Sequence, residues 1–387
     1  MQKSIFVSIL VCSILGAQSF DEFLETAIRS SPMLQASSIK IERTIQEEKI
    51  RNRYENPTLE LEFSSFKPDI GGSEDGYRAA LSQPLRLYGI GDRQKELGRA
   101  NIELQKSKQR VTRAEFIYAI SLEYLKYVHL VRLKELGFKS LEIAKDIYGI
   151  SKERYEVGSI SRGELLRAKI DLNMLNFDFE SLALEQKKQY YSLLKAAAID
   201  EEIELDTSHN FVLKKDAGEN PQLMVLQDEQ KSLESRAKLY ENSIEWINLN
   251  TEFEKEPDQN IYRVGIGIPL ALFNTKEEER SIAILEAKQL SHLSTLEERS
   301  IDLQLKELSF ENIALANLKR SNENILKDEE ELLEMFQEGY KIANINLLEL
   351  QDIKNRVIKT EEQLINIQSA QEKNIITQNY LTGAYNE

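Results

Sequence analysis

Two hydrophobic periods divide this chain. Over long stretches apolar residues recur every seven positions: Leu97, Leu104, Val111, Tyr118 and Leu125 form one line, and Ala100, Ser107, Ala114, Ser121 and Val128 form a line of smaller side chains three positions on. A heptad seam pairing large with small residues predicts a helix packed against another helix. Further along, Ile301, Leu308 and Leu315 make one line and Leu296, Leu303 and Phe310 make another, five residues away. That predicts a helix with neighbours on two sides, in a ring or layer of helices as readily as in a bundle core. Helix breakers agree with the pattern. Between Asp92 and Leu136 there is no proline and Gly98 is the only glycine, and between Thr275 and Glu338 there is neither. Runs so rich in Leu, Glu, Lys, Gln and Arg are strong helix material, and one of about 60 residues makes a rod of ~90 Å.

Four shorter segments switch to period two. Leu59, Leu61 and Phe63 alternate with Glu60, Glu62 and Ser64, and Tyr77, Ala79 and Leu81 with Arg78, Ala80 and Ser82. Ile247, Leu249, Thr251 and Phe253 alternate with Asn248, Asn250 and Glu252, and Tyr262, Val264, Ile266 and Ile268 with Arg263, Gly265 and Gly267. Strands of about nine residues reach ~30 Å, enough to cross the apolar layer of a membrane. The turn-rich segments 67–73 and 255–259 join them into two hairpins. A soluble β-element with one wet face would alternate in the same way. Against it, Phe63, Phe66, Tyr77, Trp246, Phe253 and Tyr262 gather towards strand ends, where interfacial aromatic girdles sit.

The chain also repeats itself. Ser31-Pro32-Met33-Leu34 is answered by Asn220-Pro221-Gln222-Leu223, Gln83-Pro84-Leu85 by Ile268-Pro269-Leu270, and Tyr155-Glu156-Val157-Gly158 by Phe336-Gln337-Glu338-Gly339. The interval shrinks slowly from the first pair to the last, as a duplicated unit with small deletions would produce. Each half reads helix, strand, strand, long helix, Gly turn, helix, with the halves placed at 20–205 and 206–387. Gly158 and Gly339 are expected to supply the positive φ where each long helix reverses.

Composition adds a destination and removes chemistry. Lys3, the apolar run Ile5 to Leu15 and the small residues leading to Ala17-Gln18-Ser19 read as a secretory signal over residues 1–19. Cys12, the only cysteine, lies inside that run behind Val11 and is not placed as a lipid-attachment site, so the exported chain has no thiol chemistry. No later apolar run reaches the ~18 residues of a membrane helix. With 30% charged residues and a net charge of −15, the chain is a poor partner for nucleic acid. There is no Gly-rich phosphate loop, no nucleophile elbow and no zinc-spaced ligand pair, and His129, His209 and His292 are scattered. No enzymatic activity, cofactor or metal site is expected. The acidic runs Glu277 to Glu279 and Glu329 to Glu331 read as solvated helix faces.

With these landmarks the chain resembles the outer-membrane efflux protein family, the TolC-like channels, over essentially all of its length after the leader. The most specific motifs are Arg154-Tyr155-Glu156-Val157-Gly158 running into Leu165-Leu166-Arg167-Ala168, and Phe336-Gln337-Glu338-Gly339 running into Leu347-Leu348-Glu349-Leu350. Leu81 to Leu85 and Val264 to Leu270 are similar to the heavy-metal (cobalt-zinc-cadmium) efflux branch. The resemblance implies a mainly α protein with membrane β: a homotrimer whose twelve-stranded β-barrel lies in the outer membrane of a Gram-negative bacterium and continues into the periplasm as an α-helical tube. It implies a passive conduit for exported substrates, metal cations among the candidates. A periplasmic adaptor (membrane fusion) protein and an inner-membrane pump of the resistance-nodulation-division type would be its partners. Independently of the family, four strands cannot close a barrel, since single-chain barrels start at about eight, and open edges in lipid leave backbone groups unpaired.

The resemblance also implies sites. Glu164 and Lys341 would form an ion pair in a periplasmic gate, with Asn346 and Glu349 at the positions of the acids that line the narrowest ring. Phe336 would stand where the family has a bracing aromatic hydroxyl. Gly158, Ser159, Gly339 and Tyr340 would lie where the adaptor docks. Glu60, Glu62, Arg78, Asn248, Asn250, Glu252 and Arg263 would face the pore, while Leu61, Leu81, Leu249 and Val264 would face lipid. The competing reading is a periplasmic adaptor or coiled-coil scaffold without a barrel. An adaptor should carry one helical hairpin, whereas the helix–hairpin–helix unit occurs twice here.

Overall fold

The computed structural model describes residues 17–67, 70–214 and 218–386. The expected leader lies outside the described residues as far as position 16, as do Pro68 and Asp69 of the first hairpin turn. The elements run α1 (Phe20–Ser30), α2 (Pro32–Arg51), β1 (Thr58–Phe66), β2 (Glu74–Arg86), α3 (Ile90–Glu156), α4 (Arg162–Ala197), α5 (Pro221–Leu239), β3 (Trp246–Lys255), β4 (Asn260–Gly267), α6 (Glu277–Lys341) and α7 (Leu347–Leu381). Both predicted rods and all four predicted strands are present. The rods α3 and α6 hold 67 and 65 residues, or roughly 100 Å each at about 1.5 Å per residue. Strand β2 extends beyond the alternating stretch, through Pro84 to Arg86.

Local chemistry sets the boundaries. Ser31 and Asn220 cap α2 and α5 with their side-chain oxygens, each followed by a proline at the first helical position, where its missing N–H costs nothing. Helices α4 and α7 open with reciprocal capping boxes, Ser161 with Glu164 and Asn346 with Glu349.

The helices form a layer four wide. α2 and then α4 pack along one side of α3, α5 and then α7 along its other side, and α6 packs on α5 and α7. The small-residue line of α3 is the buried seam: Ser107, Ala114, Ser121 and Val128 are all enclosed. On α6 the two predicted lines part company. Ile301 is buried and joined by Leu308 against Leu223 and Leu381, whereas Leu296, Leu303 and Phe310 are exposed. One line therefore packs within the chain and the other has no neighbour in it.

Midway along α3 the helix α1 and the segment following α4 strap the layer. Phe20, Phe23, Tyr124, Leu193, Phe211 and Ile376 form the largest buried cluster. The Gln18 N–H donates to the Glu204 carbonyl at 2.7 Å, and the buried Tyr124 hydroxyl donates to the Asp206 carbonyl at 2.5 Å. Burial first, and the nearby Asp206 carboxylate second, push the Tyr124 phenol well up, so it stays a donor.

Candidate functional site

The four strands make one antiparallel sheet in the order β1-β2-β3-β4. Both hairpins form as predicted, and β2 pairs with β3 to join them. The register then sorts the side chains. Leu59, Leu81, Thr251 and Val264 stand in one row, and Leu61, Ala79, Phe253 and Tyr262 in the next row on the same face. Glu60, Ala80, Glu252 and Arg263 stand in a row on the other face, which also carries Glu62, Arg78, Asn248 and Asn250. All the polar residues expected on the pore side share that face.

Neither face is covered as a soluble sheet would be. Strand β1 is exposed at every position, and Leu61, Phe63, Tyr262, Val264 and Ile266 are exposed on the apolar side. Contiguous apolar surface of this kind marks a contact with lipid or protein. Aromatic rings bound it at the end nearer the hairpin turns. Phe63 pairs with Tyr77, the rings of Tyr77 and Phe253 lie 5.9 Å apart, and those of Phe253 and Tyr262 lie 5.1 Å apart. At the opposite end of β3, on the charged face, Trp246 meets Tyr54 at 6.0 Å and lies under the Arg86 guanidinium at 4.5 Å.

The polar face carries a ladder of ion pairs. Arg78 reaches Glu62 at 3.0 Å and Glu252 at 2.8 Å, and Arg263 bonds Glu252 and, at 2.6 Å, Glu254. Opposite charges across strands favour this register over a slipped one. Glu254 was missed because the alternating segment was ended at Phe253, and the Arg78–Glu252 bond because it joins the two hairpins. Period-two patterning shows which residues share a face within a strand, not which strand lies alongside. Beyond β1 and β4 the sheet has no further strand among the described residues.

At the far ends of α3 and α6 the chain reverses twice, and here several expectations change. In the first turn Gly158 has a φ of 74°, with its N–H on the Tyr155 carbonyl and the Ser159 N–H on the Arg154 carbonyl. In the second turn the left-handed residue is Ala343, φ 66°, and not Gly339. Gly339 still belongs to α6, and its carbonyl receives the Asn344 and Ile345 N–H groups. The same interval separates 158 from 343, 161 from 346 and 164 from 349. Pairing Gly158 with Gly339 by letter thus placed the reversal one helical turn too early. Gly339 is needed for space, because a Cβ there would lie 2.5 Å from Cγ1 of Ile345.

Tyr340 also differs from expectation. It is not a docking surface: its side chain is fully buried, its hydroxyl shares a 2.8 Å hydrogen bond with Ser151, and the Arg154 guanidinium stacks on its ring at 4.6 Å. Ser159 is exposed. Phe336 packs, partly buried, against a cluster containing Ile147, Leu333, Leu347, Leu350 and Val357. Glu164 and Lys341 are not paired with each other within the chain. The Glu164 carboxylate accepts from the Ser161 N–H at 2.9 Å and from its hydroxyl at 3.1 Å. Lys341 donates to Glu338 at 2.8 Å, a bond that raises its pKa. Asn346 and Glu349 are spent on the α7 cap.

Several buried charges, Glu329 and Lys354 among them, escaped the sequence reading. Glu329, read as part of a solvated acidic run, is buried and accepts from Arg356 at 3.1 Å and from Thr360 at 2.7 Å. Lys354 is fully buried and donates to Asp171 at 2.6 Å. Each sits in a run of charged residues where burial leaves no mark in the sequence. Among the described residues no group of His, Cys, Asp and Glu is placed to hold a metal ion, and no helix is long and apolar enough to cross a membrane.

No protein-family model matches the chain, and no curated protein matches it. Solved structures do. CusC, which forms a transmembrane channel, superposes with a TM-score of 0.78 at 14% identity, covering 94% of this chain and 91% of that one. The CmeC outer-membrane channel of Campylobacter jejuni gives 0.74 at 12%, covering 94% and 85%. The outer-membrane protein VceC of Vibrio cholerae gives 0.75 at 12%, covering 94% and 95%. At these identities the likeness is one of fold, and it spans nearly the whole length of each chain.

Proposed function

We propose that the chain is one subunit of a homotrimeric outer-membrane efflux channel, a passive conduit whose barrel sits in the outer membrane of a Gram-negative bacterium and whose helices extend into the periplasm. The observation that carries this reading is the uncovered sheet, apolar on one face and charged on the other, at the end of a helical layer with the same open-edged form. A sheet edge in lipid leaves each unpaired backbone group at a cost of several kcal/mol, so β1 and β4 call for partner strands. Three copies would supply a closed barrel of twelve, with Leu61, Leu81, Leu249 and Val264 towards lipid and the ion ladder towards water.

The helices support the same closure. On α4, at one edge of the layer, Ile170, Phe177 and Leu184 are exposed at seven-residue intervals, and on α6, at the other edge, so are Leu296, Leu303 and Phe310. Two different apolar stripes on opposite edges make a head-to-tail interface, the kind that closes into a ring. The halves 20–205 and 206–387 would contribute alternate segments to that ring. A periplasmic adaptor and a pump of the resistance-nodulation-division type are the partners the family resemblance implies, with the surface around Ser159 as the docking tip. The same resemblance makes metal cations candidate cargo. A wide conduit needs no resident metal site, cofactor or catalytic group for that task.

Purification in detergent followed by reconstitution into planar bilayers tests the reading. Trimers that open ion-conducting channels are the expected result. A monomer recovered from the soluble periplasm would overturn it in favour of a helical scaffold.

A further inference from the structure

The two repeats leave the sheet differently. In the first, β2 runs on through Pro84 to Arg86, paired with β3 as far as Trp246, and the Leu87 N–H donates to the Glu245 carbonyl at 3.0 Å. In the second, the ladder stops where Gly267 meets Asn248, and Pro269 has no N–H with which to extend it. Segment 268–276 therefore leaves the sheet, and it carries the apolar run Ile268-Pro269-Leu270-Ala271-Leu272-Phe273. Leu270, Leu272 and Phe273 are 75%, 71% and 100% exposed. The far end of the segment is tied down by the Ser243 hydroxyl, which donates to the Thr275 carbonyl at 3.0 Å.

The run continues the apolar face of the sheet. Ile268 follows Val264 and Ile266 at period two, and all three are exposed. Membrane barrels carry aromatic girdles at both borders of their apolar band. At this end of β3 the ring is Trp246, and it stands with Arg86 on the charged face. Phe273 is the exposed ring that the chain places just beyond that border. A second copy offers the run little to bury against. In the closed barrel β1 of the next copy would pair with β4, and the residues leading into β1 are Arg53-Tyr54-Glu55-Asn56-Pro57. That stretch is polar, and its one ring is engaged with Trp246 of its own chain at 6.0 Å. Directly after the run come Lys276 and then Glu277, Glu278 and Glu279 in the first turn of α6. An apolar run that ends abruptly in charges suits a border where side chains enter acyl chains while the charges stay wet.

Resting on the channel reading, we infer that segment 270–273 is a membrane wedge: Leu270, Leu272 and Phe273 insert into the phospholipid leaflet on the periplasmic side of the outer membrane and fix the level at which the barrel sits. Each subunit carries one such wedge, since the matching connector of the first repeat is tied into the sheet. Three wedges around a trimer resist displacement in both directions. Movement towards the cell exterior drags the charged first turn of α6 into hydrocarbon. Movement towards the periplasm draws the three apolar side chains into water.

Trp246 is the only tryptophan of the chain and lies on the charged face, so the wild-type protein reports a ring kept away from lipid. The probe is Phe273→Trp/Trp246→Phe, inserted into phosphatidylcholine vesicles whose acyl chains carry bromine either near the headgroup or near the chain end. The expected result is emission from position 273 quenched several-fold more than that of wild-type Trp246, and most by the bromines near the headgroup. Quenching no greater than that of Trp246, or strongest with chain-end bromines, would overturn the wedge and leave the channel reading in place. If the loss of Trp246 prevents insertion, Phe273→Trp alone decides, read as the quenching added to the wild-type emission. Leu270→Ser/Leu272→Ser should give the wild-type amount of heat-resistant trimer in detergent, because lipid and not the next copy covers the segment. A loss of trimer there would assign the segment to the subunit interface and overturn the wedge as well. Wild-type protein that forms no channels in planar bilayers would instead remove the channel reading, and the wedge with it.

Discussion

Leu249 and Asn250 are adjacent on β3, midway between Trp246 and Phe253, and they stand on opposite faces of the sheet. Placing arginine at each in turn asks one question of two neighbouring positions. Leu249 lies in a row with Gln83 and Ile266, on the apolar face. Arginine on the lipid side at the bilayer midplane costs about 2–4 kcal/mol, and three copies bring the cost to roughly 6–12 kcal/mol per trimer on the same scale. Asn250 lies between Ser82 and Gly265 on the charged face. An added guanidinium there meets water and the carboxylate of Glu252 two residues along the strand, so little stability should be lost. The assay is the amount of heat-resistant trimer recovered from outer-membrane fractions at matched expression. The expected outcome is severe loss for Leu249→Arg and near-normal yield for Asn250→Arg. Equal loss in both would refute the assignment of faces, and loss in Asn250→Arg alone would invert it.

Three further outcomes follow from single contacts. Gly339→Val drives a side chain into Ile345 and should lower tip stability by about 1–3 kcal/mol, while Ala343→Gly relieves a positive φ and should raise it by up to about 1 kcal/mol; denaturant midpoints in detergent compare the two, and opposite signs would defeat the revised turn alignment. Tyr124→Phe strands the Asp206 carbonyl in the aromatic cluster and should cost about 1–3 kcal/mol, read as a lower thermal midpoint with unchanged strand content. The Asp206 carboxyl is held below its ordinary value of 3.8, first by the Ser208 hydroxyl and then by the Ser208 N–H. Its contribution is therefore present above that pH and fades as the pH falls through the depressed folded value. Ser208→Ala should raise the acid-unfolding midpoint, and an unchanged midpoint would show that this contact carries no acid sensitivity.

Much of this architecture was legible before any coordinates. A seven-residue repeat of apolar side chains and the absence of helix breakers over tens of residues specify long packed helices, because burial and propensity agree there at every position. Strict alternation specifies strands, and Ser31-Pro32 and Asn220-Pro221 mark helix starts through chemistry confined to a few adjacent atoms. What remained hidden depends on which elements lie side by side. The pairing of β2 with β3 places Glu252 within reach of Arg78, and no local pattern in either hairpin predicts that meeting. The turn after α6 reverses at Ala343, past the glycine that seemed to announce it, since Gly339 answers to the approach of Ile345 and not to the backbone angle of the turn. Tyr340 and Glu329 read as surface residues because their sequence neighbours are polar, and the polar neighbours of Lys354 give no sign of burial either. They are buried because the packing of the helices brings Ser151, Thr360 and Asp171 within hydrogen-bonding reach, and burial of a charge is decided by the partner that meets it in space, not by its neighbours along the chain.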